Sequence, residues 1–281
     1  MLEFQFEGQK GKLTKVIASK YPSLSYSHIR ALLRNKEIVV NGKRVKEDVD
    51  IERGAVIRLY TDIRDKEDYV YRVSTVYEDD NLFVFFKPKG LETEGDISLL
   101  SYAKKLCDSA VAVHRLDVNT DGLIIVAKNQ EIADCLTHAI KNRLIEKHYL
   151  AAVYGEVKER DRLESYLVKD REKSKVKIFD KPVQGSLKIV TEYERVYSGQ
   201  GYSIVKIRLV TGRTHQIRAH MAYIGHQVLG DGKYGKREIN SKFSYKKQAL
   251  TAFRLEFNTD GKLDYLKGKV IQIDTDLSVY I

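Results

Sequence analysis

Apolar residues in the first part of the chain recur at two helical spacings and then give way to short runs. Leu13, Val16 and Ile17 fall at the three- and four-residue intervals of one helix face and predict a helix over Lys12–Ser19. Pro22 and the serine-rich SLSYS segment interrupt it, and Ser25 or Ser27 can cap a second helix over about His28–Lys36. Ile29, Leu32 and Leu33 lie on the inner face of that helix, with Arg30 and Arg34 one turn apart on the other. Ile38–Val40 and Lys43–Val45 flank Asn41-Gly42, the pair that favours a type I′ hairpin turn. Val56–Tyr60 supplies a last strand. Residues 1–62 thus read as a small α/β domain, and the charged, weakly patterned residues 63–75 as a linker.

From Val76 onward strands dominate. Val76–Glu78 and Leu82–Phe86 form a hairpin signal around Asp79-Asp80-Asn81, and Lys87-Pro88-Lys89-Gly90 ends it abruptly. Leu99–Leu106 predicts a helix. Val111–Val113 and Leu123–Ala127 read as buried strands on either side of a polar loop. Gln130–Lys141 carries Ile132, Leu136, Ala139 and Ile140 on one face and predicts a packing helix. Lys147–Val153 is strand-like, and Ser186–Tyr197 with Tyr202–Val210 predicts an antiparallel pair. Thr211 or Thr214 can cap a following helix that places Arg213, Ile217 and His220/Met221 on related faces. Residues 225–227 and 230–235 read as loops, and Leu250–Phe257 and Val270–Ile273 close the sheet. Strands joined by hairpins, rather than alternating with helices, predict an α+β domain over residues 76–281 with a mixed, mainly antiparallel sheet.

Composition narrows the partners. The chain has 281 residues, 43% of them hydrophobic, enough for a substantial core. Its two cysteines, Cys107 and Cys135, have no metal-ligand spacing, which suits a reducing compartment. The N-terminal residues lack an apolar leader core and no run approaches a membrane span, so a soluble cytoplasmic protein without membrane contact is expected. The net charge is +10. Between Lys10 and Lys46 ten basic residues face one acid, Glu37, whereas Glu47 to Val70 holds eight acids and four bases. A basic footprint local to Lys10–Lys46 points to a polyanion, most simply nucleic acid.

The polar loop holds His114, Arg115, Leu116 and Asp117, a cation two residues before a carboxylate on a connection between rigid strands. By itself it also fits an ordinary turn, with Asp117 in an Asx bond and Gly122 at positive φ. A second polar concentration is Thr211-Gly-Arg-Thr-His-Gln-Ile-Arg-Ala-His220. Asp117 and Asp121, four residues apart, would suit a glycosidase pair about 5 Å apart, although the chain has no tryptophan for a sugar platform.

KPKG at 87–90, HRLDVNTDGLIIVAK at 114–128, KHYLAAVYG at 147–155 and TGRTHQIRAH at 211–220 resemble, in order and spacing, the RluA family of RNA pseudouridine synthases. The sequence departs from that family at Asp121, where serine is usual, and at Glu92-Thr93-Glu94, where relatives often carry histidine. The resemblance implies that uridine in RNA is detached at its N-glycosidic bond, rotated and rejoined through C5, without cofactor or metal. It gives Asp117 as the catalytic carboxylate acting at the ribose, Arg218 as its ion-pair partner with Arg213 as the alternative, and Tyr149 as the base-stacking residue whose phenol could assist removal of the C5 proton. Arg115 would fill the gap left by a flipped-out uridine, with His114, Lys147 and Arg213 also contacting RNA. His215 and His220 are five apart, unlike a helical zinc pair.

The basic helix followed by EIVVNGKRV is similar to the alpha-L RNA-binding domain named after ribosomal small-subunit protein S-four, with Tyr26 where that motif commonly has arginine. Arg30, Arg34, Lys43 and Arg44 would then contact RNA. A separate RNA-binding domain favours ribosomal RNA of the large subunit as target and transfer RNA as the second choice, with the enzyme a monomer needing no protein partner. A non-catalytic RNA- or ribosome-binding factor is the rival from another class.

Overall fold

The computed structural model describes residues 1–21, 24, 26–60, 72–170, 174–243, 245 and 247–274. The N-terminal region forms β1 (Leu2–Gln5), β2 (Lys10–Lys12), α1 (Leu13–Lys20), α2 (Tyr26–Arg34), β3 (Ile38–Val40), β4 (Lys43–Val45), β5 (Asp50–Glu52) and β6 (Val56–Leu59). One sheet runs β1-β6-β3-β4, and β2 pairs with β5. The helices bury Leu13, Ile17, Ile29, Leu32 and Leu33 against Ile38, Ile57 and Leu59.

In the β3–β4 turn Val40 pairs with Lys43, and Asn41 and Gly42 both have positive φ, 48° and 80°, as a type I′ turn requires. The second helix starts at Tyr26 rather than His28, so Ser27 is already inside it, and Ser25 lies outside the described residues, as does most of the expected linker. α1 has no side-chain cap from its own flank. Asp48 does that work from 34 residues away, accepting from the Thr14 N–H at 2.9 Å and the Thr14 hydroxyl at 2.8 Å. Strands β1, β2 and β5 escaped the sequence reading because three- or four-residue strands give no usable period.

The second region builds an eleven-stranded sheet. Its elements are β7 (Ser74–Glu78), β8 (Leu82–Lys87), α3 (Leu99–Leu106), β9 (Val111–Ala112), β10 (Asp121–Ala127), α4 (Gln130–Lys141), β11 (Ile145–Tyr154), β12 (Arg160–Asp170), β13 (Lys175–Phe179), β14 (Leu187–Gly199), β15 (Tyr202–Leu209), α5 (Gln216–Tyr223), α6 (Arg237–Lys242), β16 (Leu250–Phe257) and β17 (Val270–Gln272), with a 3-10 turn at Gly261–Leu266. The main order is β13-β12-β14-β15-β11-β16-β10-β8-β7, and the fold is α+β. Antiparallel pairs prevail, and β10 with β16 is the parallel pair among the described residues.

Both faces of the central strands are covered, which explains their continuous apolar runs. Along β10, Ile124 and Val126 face one core with Leu99 and Ala103 of α3, while Leu123 and Ile125 face another with Ile132 and Leu136 of α4. Gly122, at φ +112°, stands where β10 meets β16, and a Cβ there would lie 2.1 Å from the Ala252 carbonyl oxygen. Only glycine permits that approach. Hairpin β12–β13, absent from the sequence reading, widens the sheet and packs β13 against α5.

Candidate active site

The cavity opens on the first of these cores, with a volume of about 510 Å³, and its wall is drawn from the β9–β10 loop, β11, the end of α4 and the β15–α5 connection. Asp117 leaves the β9–β10 loop. That loop is held from below by Lys87, which is fully buried and donates to the carbonyls of Pro88 at 3.1 Å, Leu91 at 2.8 Å and Val118 at 3.3 Å. Burial lowers the Lys87 amine to about 8, against the pull of Asp121 and Asp117. Gly90 N–H also donates to the Val118 carbonyl at 2.7 Å. Two donors on one carbonyl fix the residue next to Asp117.

Opposite, Arg218 on α5 donates from Nη1 to Asp117 Oδ2 at 2.6 Å. Its other edge is taken by Asp231, with Nε to Oδ2 at 2.7 Å and Nη2 to Oδ1 at 2.9 Å. Asp231 is 0% exposed at its side chain and also accepts from the Lys233 and Tyr234 N–H groups. Burial opposes charge on both partners, yet each raises the charged form of the other: the guanidinium stays above its ordinary range and the Asp231 carboxyl below its own. The bidentate fork is the strong geometry for such a pair.

His215 precedes α5 at φ 55° and carries no capping bond, so the helix begins at Gln216. Neither Thr211 nor Thr214 caps it. The Thr211 hydroxyl instead donates to the Gln216 side-chain oxygen at 2.8 Å, and Arg213, off the helix, is exposed at the cavity rim. His215 Nδ1 lies 2.9 Å from the Tyr234 hydroxyl, which already accepts from Val176 N–H. The phenol proton is therefore free for Nδ1, which leaves the imidazole proton on Nε2, 3.9 Å from Asp117 Oδ1. Burial lowers His215 to about 4, so it faces Asp117 uncharged.

Tyr149, 6% exposed, reaches the same cavity from β11. Burial, and then the charge of Asp117, pushes its phenol well above the usual range. Two strand positions earlier, Lys147 lines the wall, its amine pushed down by burial. His114 lines the cavity too, but its Nε2 accepts from Ile125 N–H at 3.0 Å, a bond that braces the β9–β10 loop against β10. Burial and Lys147 lower it to about 3, so it offers RNA no cation. Arg115 is exposed at the rim.

Arg30, Arg34, Lys43 and Arg44 do not line this cavity; they are exposed on the N-terminal region. Asp121 is absent from the wall as well. It accepts from the Thr251 hydroxyl at 2.6 Å and pairs with Lys89 at 3.7 Å, so the paired-carboxylate glycosidase reading lacks its second acid. Glu146, His148 and Glu256 cluster at metal-ligand distances, but Arg208 and Arg254 already bond to both carboxylates. That cluster is an ion-pair network across β15, β11 and β16. Asp231 and Tyr234 were missed because residues 230–235 read only as a glycine-rich loop. A carboxylate and a phenol three apart between glycines were the available signal.

Residues 81–223 match the protein family described as RNA pseudouridylate synthase. An uncharacterized RNA pseudouridine synthase of Aquifex aeolicus is 30% identical across 100% of this chain and 96% of its own. Ribosomal large subunit pseudouridine synthase C of Rickettsia conorii is 31% identical across 81% of this chain and 83% of its own. The solved structure of human RNA pseudouridylate synthase domain containing 1 superposes with a TM-score of 0.59 at 25% identity, covering 74% of this chain and 84% of that one. The matched segment includes every cavity-lining residue except Leu250. This chain belongs to the RNA pseudouridylate synthase family.

Proposed function

We propose that this enzyme isomerises uridines of large-subunit ribosomal RNA to pseudouridine, with Asp117 as the catalytic carboxylate. The observation that carries the assignment is the Asp117–Arg218 ion pair at 2.6 Å in the wall of a cavity that also holds Tyr149. The target nucleotide leaves the RNA stack and enters this cavity. Asp117 acts at its ribose, as nucleophile at C1′ or as acceptor of the 2′ proton, and Arg218 supplies the counter-charge in either case. Tyr149, held protonated, is a stacking platform for the base rather than a resting base for the C5 proton. Arg115, at the rim, occupies the gap in the stack.

Ribosomal RNA is the favoured substrate because ribosomal large subunit enzymes are among the relatives. The N-terminal region, residues 1–62, serves as an alpha-L type RNA-binding domain, separate from a catalytic domain over 76–281. Exposed Arg30, Arg34 and Lys43 support that role, and the enzyme works as a monomer on RNA alone. No helix among the described residues is long and apolar enough to cross a membrane.

The test is tritium release from ribosomal and transfer RNA labelled at uridine C5, taken from cells lacking this protein. Wild type is expected to release tritium from ribosomal RNA, and Asp117→Asn to fall by roughly a thousandfold or more, the scale of losing a reacting group. Release from transfer RNA alone would move the substrate, and release by Asp117→Asn at the wild-type rate would remove Asp117 from the chemistry.

A further inference from the structure

The cavity does not end at the reacting residues. Tyr149 and Ile145 both line it, four residues apart on β11, which spans about 13 Å of strand. Beyond Ile145 the wall continues onto the end of α4 through Lys141 and Arg143. Seven basic side chains line the whole cavity against two carboxylates, Asp117 and Glu146, and both acids are committed, to Arg218 and Arg208. Among the described residues Lys141, Arg143 and Lys147 have no acidic partner. Basic side chains without acidic partners, in the wall of the cavity that holds Asp117, suit an anion supplied from outside.

The backbone adds an independent observation. α4 ends at Lys141 with Asn142 as its cap, and Arg143 follows in the left-handed conformation at φ 62°. Helices that close this way usually place glycine there. An arginine tolerates that conformation with strain, and strain of this kind gathers at binding sites. Arg143 thereby turns the chain towards β11, and, itself exposed, it is part of the cavity lining. Lys147 stands midway along the wall, with its amine 3.3 Å from where a Cβ on Gly212 would lie.

Building on the proposed function, we infer that Lys147, Lys141 and Arg143 form a phosphate-binding arm that takes the RNA backbone running on from the flipped-out uridine. Lys147 meets the phosphate nearest the target nucleotide, and the α4 turn meets the next ones. The arm explains why the cavity is longer than one base needs and why its far end is basic.

The test uses the full chain and two probes, a fluorescein-labelled oligouridylate read by anisotropy and the C5-tritiated ribosomal RNA. The double variant Lys141→Gln/Arg143→Gly is expected to weaken oligouridylate binding on the order of tenfold, with the slope of log affinity against log salt shallower by about 1.4. Its half-saturating concentration of ribosomal RNA should rise in parallel. Arg143→Gly relieves the left-handed strain, so its melting temperature should equal or exceed wild type. Lys141→Gln alone, on an exposed helix position, should flatten the slope by about 0.7. Arg143→Lys alone, which keeps the charge, should leave the slope at the wild-type value. An unchanged salt slope in both the double variant and Lys141→Gln overturns the arm, as does weaker binding at constant slope. Absence of tritium release by wild type would refute the proposed reaction instead, and the oligouridylate slopes would still decide the arm.

Discussion

Basic side chains occupy two settings in this molecule. On the N-terminal region Arg30 and Arg34 on α2 and Lys43 at the start of β4 are exposed. In the larger region Arg218 and Lys87 sit inside the protein, and each is met by atoms placed for it: two carboxylates for Arg218, three carbonyls for Lys87. A surface cation loses little by being unpaired, because water solvates it and salt screens it. An interior one is tolerated only when its charge is answered. Buried imidazoles, by contrast, are held neutral by the cost of desolvation, even at His215, where Asp117 lies 3.9 Å away. His114, His215 and His220 are lowered by burial to about 3, 4 and 4.

The sharpest way to break this contrast is Arg218→Met. It leaves the buried Asp231 carboxylate without its cation and Asp117 without its partner, so both fold and chemistry should suffer. The expected loss is about 3–5 kcal/mol of stability in urea, the scale for breaking a buried pair from one side. Tritium release should fall with it even at temperatures where the variant stays folded. Stability close to wild type would mean that Asp231 finds another partner.

A smaller effect is expected from acid. Histidines held neutral in the native state gain protons on unfolding, so the unfolded state binds more protons between their ordinary pKa and the lowered one. Stability should therefore drop as pH falls from about 6.5 to about 4. At pH 5 the drop relative to pH 7 is on the order of 1–2 kcal/mol for each such histidine. His220 bridges Thr191 Oγ1 at 3.0 Å and Ser165 Oγ at 3.3 Å. The variant His220→Gln should flatten this slope in urea titrations at pH 7 and pH 5, and an unaltered slope would show that His220 does not titrate on unfolding.

The least change to the fold should come from the other setting. Replacing Arg30, Arg34 and Lys43 with glutamine should leave the melting temperature within a degree or two while RNA affinity falls and its salt dependence becomes shallower by about 2–3 in slope. Arg44 belongs with the interior cations in spirit, since Nη1 donates to the Lys36 carbonyl at 2.8 Å and its guanidinium lies 5.3 Å from the Tyr60 ring centre. Its loss should lower the melting temperature as well as affinity. Salt slopes unchanged in the triple variant would remove the RNA-binding role of this region.

Legibility in the sequence followed the range of the forces involved. α4 and the β3–β4 hairpin were readable to the residue, because a 3.6-residue period and an Asn-Gly turn are local. The resemblance of HRLD, KHYLA and GRTHQIR to the family's motifs brought out Asp117, Tyr149 and Arg218, which the fold gathers around one cavity. What stayed hidden depends on distant partners. The cap on α1 comes from Asp48, and His215 takes a left-handed turn in place of a threonine cap. His114, which the resemblance gives as an RNA contact, also accepts from the Ile125 amide, a bond no local pattern announces. Nothing local in KPKG says that Lys87 is buried; only the carbonyls of Leu91 and Val118, brought back by the chain, make that site.

Asp231 has a consequence for how the reaction begins. One edge of the Arg218 guanidinium, Nε and Nη2, is bonded to the buried Asp231 carboxylate, which fixes the direction in which Nη1 faces Asp117. Asp117 takes one bond from the guanidinium where Asp231 takes two. The positive field beside Asp117 is therefore set when the protein folds rather than assembled when RNA binds. The nucleotide enters an electrostatic environment whose reorganisation cost has already been met.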